Sequence, residues 1–210
     1  GDASNVAVFG SESDSIIGGR GGDVFVSISE NAMFVGAEAD DRVQSTSTSE
    51  THLGDGSDSF IGANLTSAQH VFGDDGDDYL IGSIRSPSDL WAVHEGDGSL
   101  VSYDKDTLDG GAGNDTLIGS HGDVLLGGAG LDSLTAVLDC EVSSEPLAIE
   151  DFVPTQDILF IHFDPNNDGS QVSPQDFRHV VTPSHDSEIT TASGQVLVLL
   201  KGVTDRENGI

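Results

Sequence analysis

The sequence predicts an all-β fold, with short parallel strands stacked as a two-sided coil of about seven turns and a small β-rich region after them. Three observations predict it. Aspartate followed two residues later by a large apolar residue recurs through the first part of the chain. The recurrences fall at nearly constant steps. Glycine travels with them, since 23 of the 27 glycines lie before residue 136.

The pair recurs as Asp14–Ile16, Asp23–Phe25, Asp41–Val43, Asp58–Phe60, Asp78–Leu80, Asp115–Leu117, Asp123–Leu125 and Asp132–Leu134, and Asp89–Trp91 and Asp106–Leu108 fit as well. Asp23, Asp41, Asp58, Asp78, Asp97, Asp115 and Asp132 are separated by 18, 17, 20, 19, 18 and 17 residues. Asp89, Asp106 and Asp123 form a second series at steps of 17, and Asp14, nine residues before Asp23, belongs with them. Two interleaved series are what loop, strand, loop, strand and then the next turn would give. The second series is degenerate between Asp14 and Asp89, so one nearly complete ladder is expected, with only the ends of the other. The segment 140–146 divides residues 1–139, the coil, from residues 140–210, a β-rich capping region. A stacked coil leaves the apolar face of its last turn open and needs such a cap.

Composition narrows the function. The 37 acidic residues against 7 Lys and Arg give a formal net charge of −30. Nucleic acid and anionic membrane would be repelled. Asp supplies 27 of the acids and Glu only 10, which disfavours helix. The longest apolar run, residues 196–200, is far too short to span a bilayer. A lone Cys140 forms no internal disulfide, and no Lys or Arg precedes Arg20, so no cleavable secretory signal is expected.

The same pattern points to calcium. In a strand, side chains alternate between faces, so an inward apolar residue implies an inward Asp two positions earlier, at the junction of loop and strand. Neighbouring strands lie about 4.8 Å apart, and like charges at that spacing repel unless a cation stands between them. Calcium takes six to eight oxygen ligands from carboxylates and backbone carbonyls, whereas zinc would want Cys and His. The candidate ligands are Asp14, Asp23, Asp41, Asp58, Asp78, Asp97, Asp106, Asp115, Asp123 and Asp132, with Asp89 as a further member. Gly19, Gly21, Gly54, Gly56, Gly76, Gly111, Gly113, Gly128 and Gly130 let the loops turn carbonyls toward an ion. Several ions are expected, and about eight would offset roughly half the charge.

Three segments, 18–26, 110–118 and 127–135, spell G-G-x-G-x-D-x-U-x with U a large apolar residue. On this repeat the first 135 or so residues resemble RTX (hemolysin-type) calcium-binding proteins. The resemblance implies a right-handed parallel β-roll, export by type I secretion machinery and folding outside the cell, where calcium is abundant. Residues 149–159, from Ile149 and Asp151 to Asp157 and Leu159, resemble a stretch that often follows such repeats.

Other motifs are weaker. Asp164, Asn166 and Asp168 open like an EF-hand loop, but Gln175 stands where the bidentate Glu belongs. His52 and His70 are 18 residues apart, and solvated histidines are favoured over a metal pair stacked on neighbouring turns. His94-Glu95 lacks the second His of a zinc protease site, and no G-x-S-x-G elbow occurs. The expected function is a non-enzymatic, secreted calcium-binding module with no membrane insertion. The alternatives are a β-helical enzyme acting on polysaccharide and a calcium-dependent surface-layer or adhesive protein.

Overall fold

The structure is a computed structural model that describes residues 4–9, 15–27, 32–45, 48–63, 68–84, 105–138, 145–163, 177–183 and 186–203. Every regular element among these is a strand. The first nine are β1 (Val6–Phe9), β2 (Ser15–Ile17), β3 (Val24–Ser27), β4 (Ala32–Val35), β5 (Arg42–Ser45), β6 (Thr48–His52), β7 (Ser59–Ala63), β8 (His70–Phe72) and β9 (Tyr79–Ile84). After a long connection come β10 (Thr107–Asp109), β11 (Thr116–Gly119), β12 (Val124–Leu126), β13 (Ser133–Leu138), β14 (Leu147–Ile149) and β15 (Ile158–Phe163). The last three are β16 (Phe177–Val181), β17 (Ser187–Thr191) and β18 (Val196–Leu200).

Consecutive strands alternate between two sheets. The odd strands β1 to β15 form an eight-stranded parallel sheet in chain order. The even strands β2 to β14 lie side by side in the second sheet, also parallel. That sheet continues through β18, parallel to β14, and then turns antiparallel through β17 and β16.

The period-two pattern explains what lies between the sheets. Phe25, Val43, Phe60, Leu80, Leu117, Leu134 and Leu159 stand in register across the first sheet. Phe34, Thr51, Val71, Leu108, Leu125, Ile149 and Leu200 do so across the second. Both columns are buried, apart from the half-buried Leu159, and meet in one core where Phe25 and Phe34 pack with ring centroids 5.0 Å apart. Each strand contributes about one such side chain, so stability comes from stacking many strands rather than from any single one.

Two expectations change here. The parallel arrangement does not stop at residue 139, because β14 and β15 extend both sheets. Antiparallel pairing begins only beyond β15. Second, the 18-residue step does not hold in the middle of the chain. β9 pairs directly with β11, and β8 with β10, so no rung at Asp97 or Asp89 fits between them. Both residues fall in the connection between β9 and β10, outside the described residues.

Candidate metal centre

Six loops of six residues each lead from the second sheet into the first: 18–23, 36–41, 53–58, 73–78, 110–115 and 127–132. Each ends on an Asp that is buried at the junction with the next strand, as alternation requires for an Asp two residues before a core side chain. These aspartates form a ladder. The backbone N–H of Asp23 donates to Asp41 Oδ1 at 2.7 Å, that of Asp41 to Asp58 at 2.6 Å, and that of Asp58 to Asp78 at 2.8 Å. Asp78 donates to Asp115 at 2.8 Å and Asp115 to Asp132 at 3.0 Å. One carboxylate oxygen per rung is thereby engaged by the neighbouring coil.

The other oxygen is not. Oδ2 of Asp41, Asp58, Asp78, Asp115 and Asp132 is buried with no hydrogen-bond partner. Five of the six loops begin on a glycine, and a Cβ added to any of these would fall within 3.0 Å of Oδ2 of the Asp that ends its own loop. A Cβ placed on Gly110 would stand 2.5 Å from Asp115 Oδ2 and 2.6 Å from the Gly127 carbonyl oxygen of the next loop. On Gly73 it would meet the equivalent pair, Asp78 Oδ2 and the Gly110 carbonyl oxygen. On Gly36 and Gly127 it would come 2.6 Å from Asp41 Oδ2 and Asp132 Oδ2. Distances this short leave no room for a Cβ, so only glycine lets successive loops and their Asp carboxylates pack this closely.

The loops themselves stack in register. Ala112 N–H donates to the Asp74 carbonyl and Ala129 N–H to the Gly111 carbonyl, both at 2.8 Å. Gly111 at φ 91° and Gly128 at φ 89° show why glycine recurs at this place in the loop. At the same place in its loop Asp74 also has a positive φ, 69°, and Ala39, two positions further along its own loop, has φ 79°, both strained for a residue with a Cβ.

Burial sets the charge state. It pushes the Asp78 carboxyl up to about 7, with Asp58, Asp115 and Asp74 adding repulsion against the hydrogen bond from Asp58 N–H. Burial likewise lifts Asp58 and Asp115 to about 6, and Asp41 and Asp132 rise for the same reason. Asp23 is the exception. Burial pushes it up, but hydrogen bonds from Gly19 N–H and from the backbone and side-chain amide of Asn5 outweigh that and hold it below the usual carboxylate range.

The second ladder is short. Gln69 N–H donates to Asp106 Oδ1 at 2.8 Å and Asp106 N–H to Asp123 Oδ1 at 2.9 Å, while Ser120 N–H binds Asp123 Oδ2 at 2.6 Å. Asp14, Asp89, Asp97, Asp164, Asn166 and Asp168 lie outside the described residues. The two histidines do not pair. His52 is in register with Phe72, on which it stacks at 4.5 Å between centroids, and its nitrogens face Glu50 and Asp74.

Spacing missed both ends of the main ladder. Asp157 receives Asp132 N–H at 3.2 Å and Val153 N–H at 2.6 Å, and Asp157-Ile158-Leu159 is one more Asp-x-apolar step. Asn5 closes the other end with the amide of the same side-chain length. Asp151 binds the N–H groups of Gly127 and Gly128. Among the described residues no three His, Cys, Asp or Glu side chains converge on one point, so any cation held here draws largely on backbone oxygens. No protein family, no curated protein and no solved structure matches the chain.

Proposed function

We propose that the chain is a calcium-binding β-roll module, similar to RTX repeats, whose ordered state depends on calcium held between successive coils. One observation carries this reading. Buried Oδ2 atoms without a hydrogen-bond partner recur from loop to loop along the ladder, and a cation would satisfy them. Asp41, Asp58, Asp78, Asp115 and Asp132 are the carboxylates that would hold the ions. Bound calcium supplies the positive charge and the oxygen coordination that the buried carboxylates otherwise lack. The chain's own residues do the rest. Each Oδ1 fixes the register of the adjacent coil, each six-residue loop orients its carbonyls, and the apolar columns hold the two sheets together.

On this reading the fold is a right-handed roll of about seven turns, with β16 to β18 closing its end as a cap. The module acts outside the cell, where calcium is abundant, reaches it by type I secretion, and supports the stability of the protein it belongs to rather than performing catalysis. Far-ultraviolet circular dichroism tests the dependence. At pH 8 a chelator removes most of the β-signal, calcium restores it, and magnesium, which demands small octahedral sites, does not. Identical spectra with and without calcium would exclude the proposal.

A further inference from the structure

We infer that the C-terminal end of the roll is a docking surface for a second copy of this chain, in which β15 of each copy pairs antiparallel with β16 of the other. The inference rests on sheet topology and goes beyond the calcium reading. The two sheets do not end level. β15 pairs with β13 and β18 with β14, so β15 and β18 close the same coil. The first sheet stops there, while the second runs two strands further, through β17 to β16. The end is therefore a step, and among the described residues one long side of β15 and one of β16 have no strand neighbour. Such edges present a row of unpaired N–H and C=O groups, a template for another chain.

Neither edge is blunted for life in water. Edge strands are normally protected by lysine, proline or a bulge. β15 reads Ile-Leu-Phe-Ile-His-Phe and pairs with β13 without a bulge. Ile158 and Phe160, on its outer face, are 56% and 53% exposed, and Leu159 and Ile161, toward the core, are only half-buried. On β16 the successive residues Val180 and Val181 are 41% and 40% exposed, so both of its faces show apolar surface. In a chain of net charge −30, neither strand carries an acid, and their ionisable residues are His162, Arg178 and His179. This is the end at which two such chains can meet without opposing carboxylates strand to strand.

The step selects the occupant. A twofold axis along the strands exchanges the planes of the two sheets, so the partner's β16 comes beside β15 and the partner's β15 beside β16. Each overhang fills the other step, and the interface is self-complementary and closed. The strands of the two sheets run in opposite directions because the chain turns back at each loop, and β16, two antiparallel steps from β18, runs with the second sheet. The new pairs are therefore antiparallel. Other arrangements fail on the same topology. Pairing β15 with its own copy would drive the two overhangs into one space. Stacking the partner's β1 on β15 would put its β2 and β4 where β17 and β16 already lie.

Sedimentation equilibrium of the full chain in calcium at pH 8 tests this. The wild type is expected at twice the 21.7 kDa of one chain. Phe160→Glu and Val180→Lys each alter both junctions of the dimer, and each is expected at the mass of a single chain with its β-signal retained. Mixed in equal amounts they are expected to regain the dimer mass, because the mixed pair has one junction unaltered and places Glu and Lys together at the other. Ile158→Glu with Val181→Lys repeats the comparison at the neighbouring exposed positions. Val8→Lys, at the opposite end and 68% exposed, is expected to stay dimeric. A wild type at single-chain mass, a dimer that survives Phe160→Glu or Val180→Lys, or mixtures of both variant pairs that stay monomeric would each overturn the inference. The readout is mass, so it is separate from whether calcium is what orders the roll.

Discussion

At the scale of single residues, a carboxylate buried with one oxygen unpartnered is destabilising until a cation or a proton reaches it. Asp78 is the sharpest case, with the most raised pKa in the ladder. Replacing it with Asn keeps an oxygen for Asp58 N–H and turns the buried, unpartnered atom into a neutral donor. Asp78→Asn is expected to stabilise the metal-free fold by about 1–3 kcal/mol, measured as a larger β-signal remaining in chelator at pH 8 than in the wild type. It should also reduce the extra stability that calcium confers. The raised pKa values carry a pH dependence of definite sign. Asp58, Asp78 and Asp115 titrate at about 6, 7 and 6 when folded, above the unfolded value near 4. Their contribution to metal-free stability is complete below the unfolded value and is lost as pH rises through 6 to 7. Asp23, held low, contributes in the opposite sense, its share disappearing only in strong acid. Metal-free protein is therefore expected to keep more β-signal at pH 5 than at pH 8, and to bind calcium more weakly as pH falls below 7. A metal-free stability that is flat across this range would contradict the assignment of buried, unpaired carboxylates.

At the scale of elements, strands of three to six residues cannot stand alone, and their pairing and core columns hold them. Leu117, in the middle of the first column, is fully buried, so Leu117→Ala is expected to cost about 2–5 kcal/mol in calcium-loaded protein. Thr116, beside it on the outer face, is half-buried, and Thr116→Ala should change urea stability by less than about 0.5 kcal/mol. The Asp-x-apolar signal made these elements readable in advance, because one short pattern reports both the start of a strand and its inward face. Phe25, Val43, Phe60, Leu80, Leu117 and Leu134 are all buried as that pattern predicts. Asp89 and Asp97, which the same signal marks, lie outside the described residues. Asp78 and Asp115 are direct neighbours in the ladder but 37 residues apart. The connection between β9 and β10 is longer than that between β7 and β8 by about one coil, so the described strands on either side of it keep the phase of the repeat. A spacing argument reads position only to within a whole coil. Asp157 was overlooked for the opposite reason, since the 25 residues after Asp132 break the step although the local pattern is intact. The unpartnered Oδ2 atoms were not legible at all, because they depend on how closely adjacent loops approach.

At the scale of the whole molecule, net charge and architecture pull against each other. A chain with a formal charge of −30 gains from staying expanded, and stacking its coils brings the ladder aspartates together. Each coil touches only its neighbours, so ordering should spread along the stack once a few ions are held, as in other repeat architectures. Dissolved salt screens exposed charge but not the buried rungs, so sodium chloride at matched ionic strength should not replace calcium. The most direct measurement is a calcium titration at pH 8 followed by calorimetry and circular dichroism on the same sample. Several ions are expected to bind over the same narrow concentration range in which the β-signal develops. A full β-signal before any calcium is added, with no heat of binding as it is titrated in, would contradict the central claim.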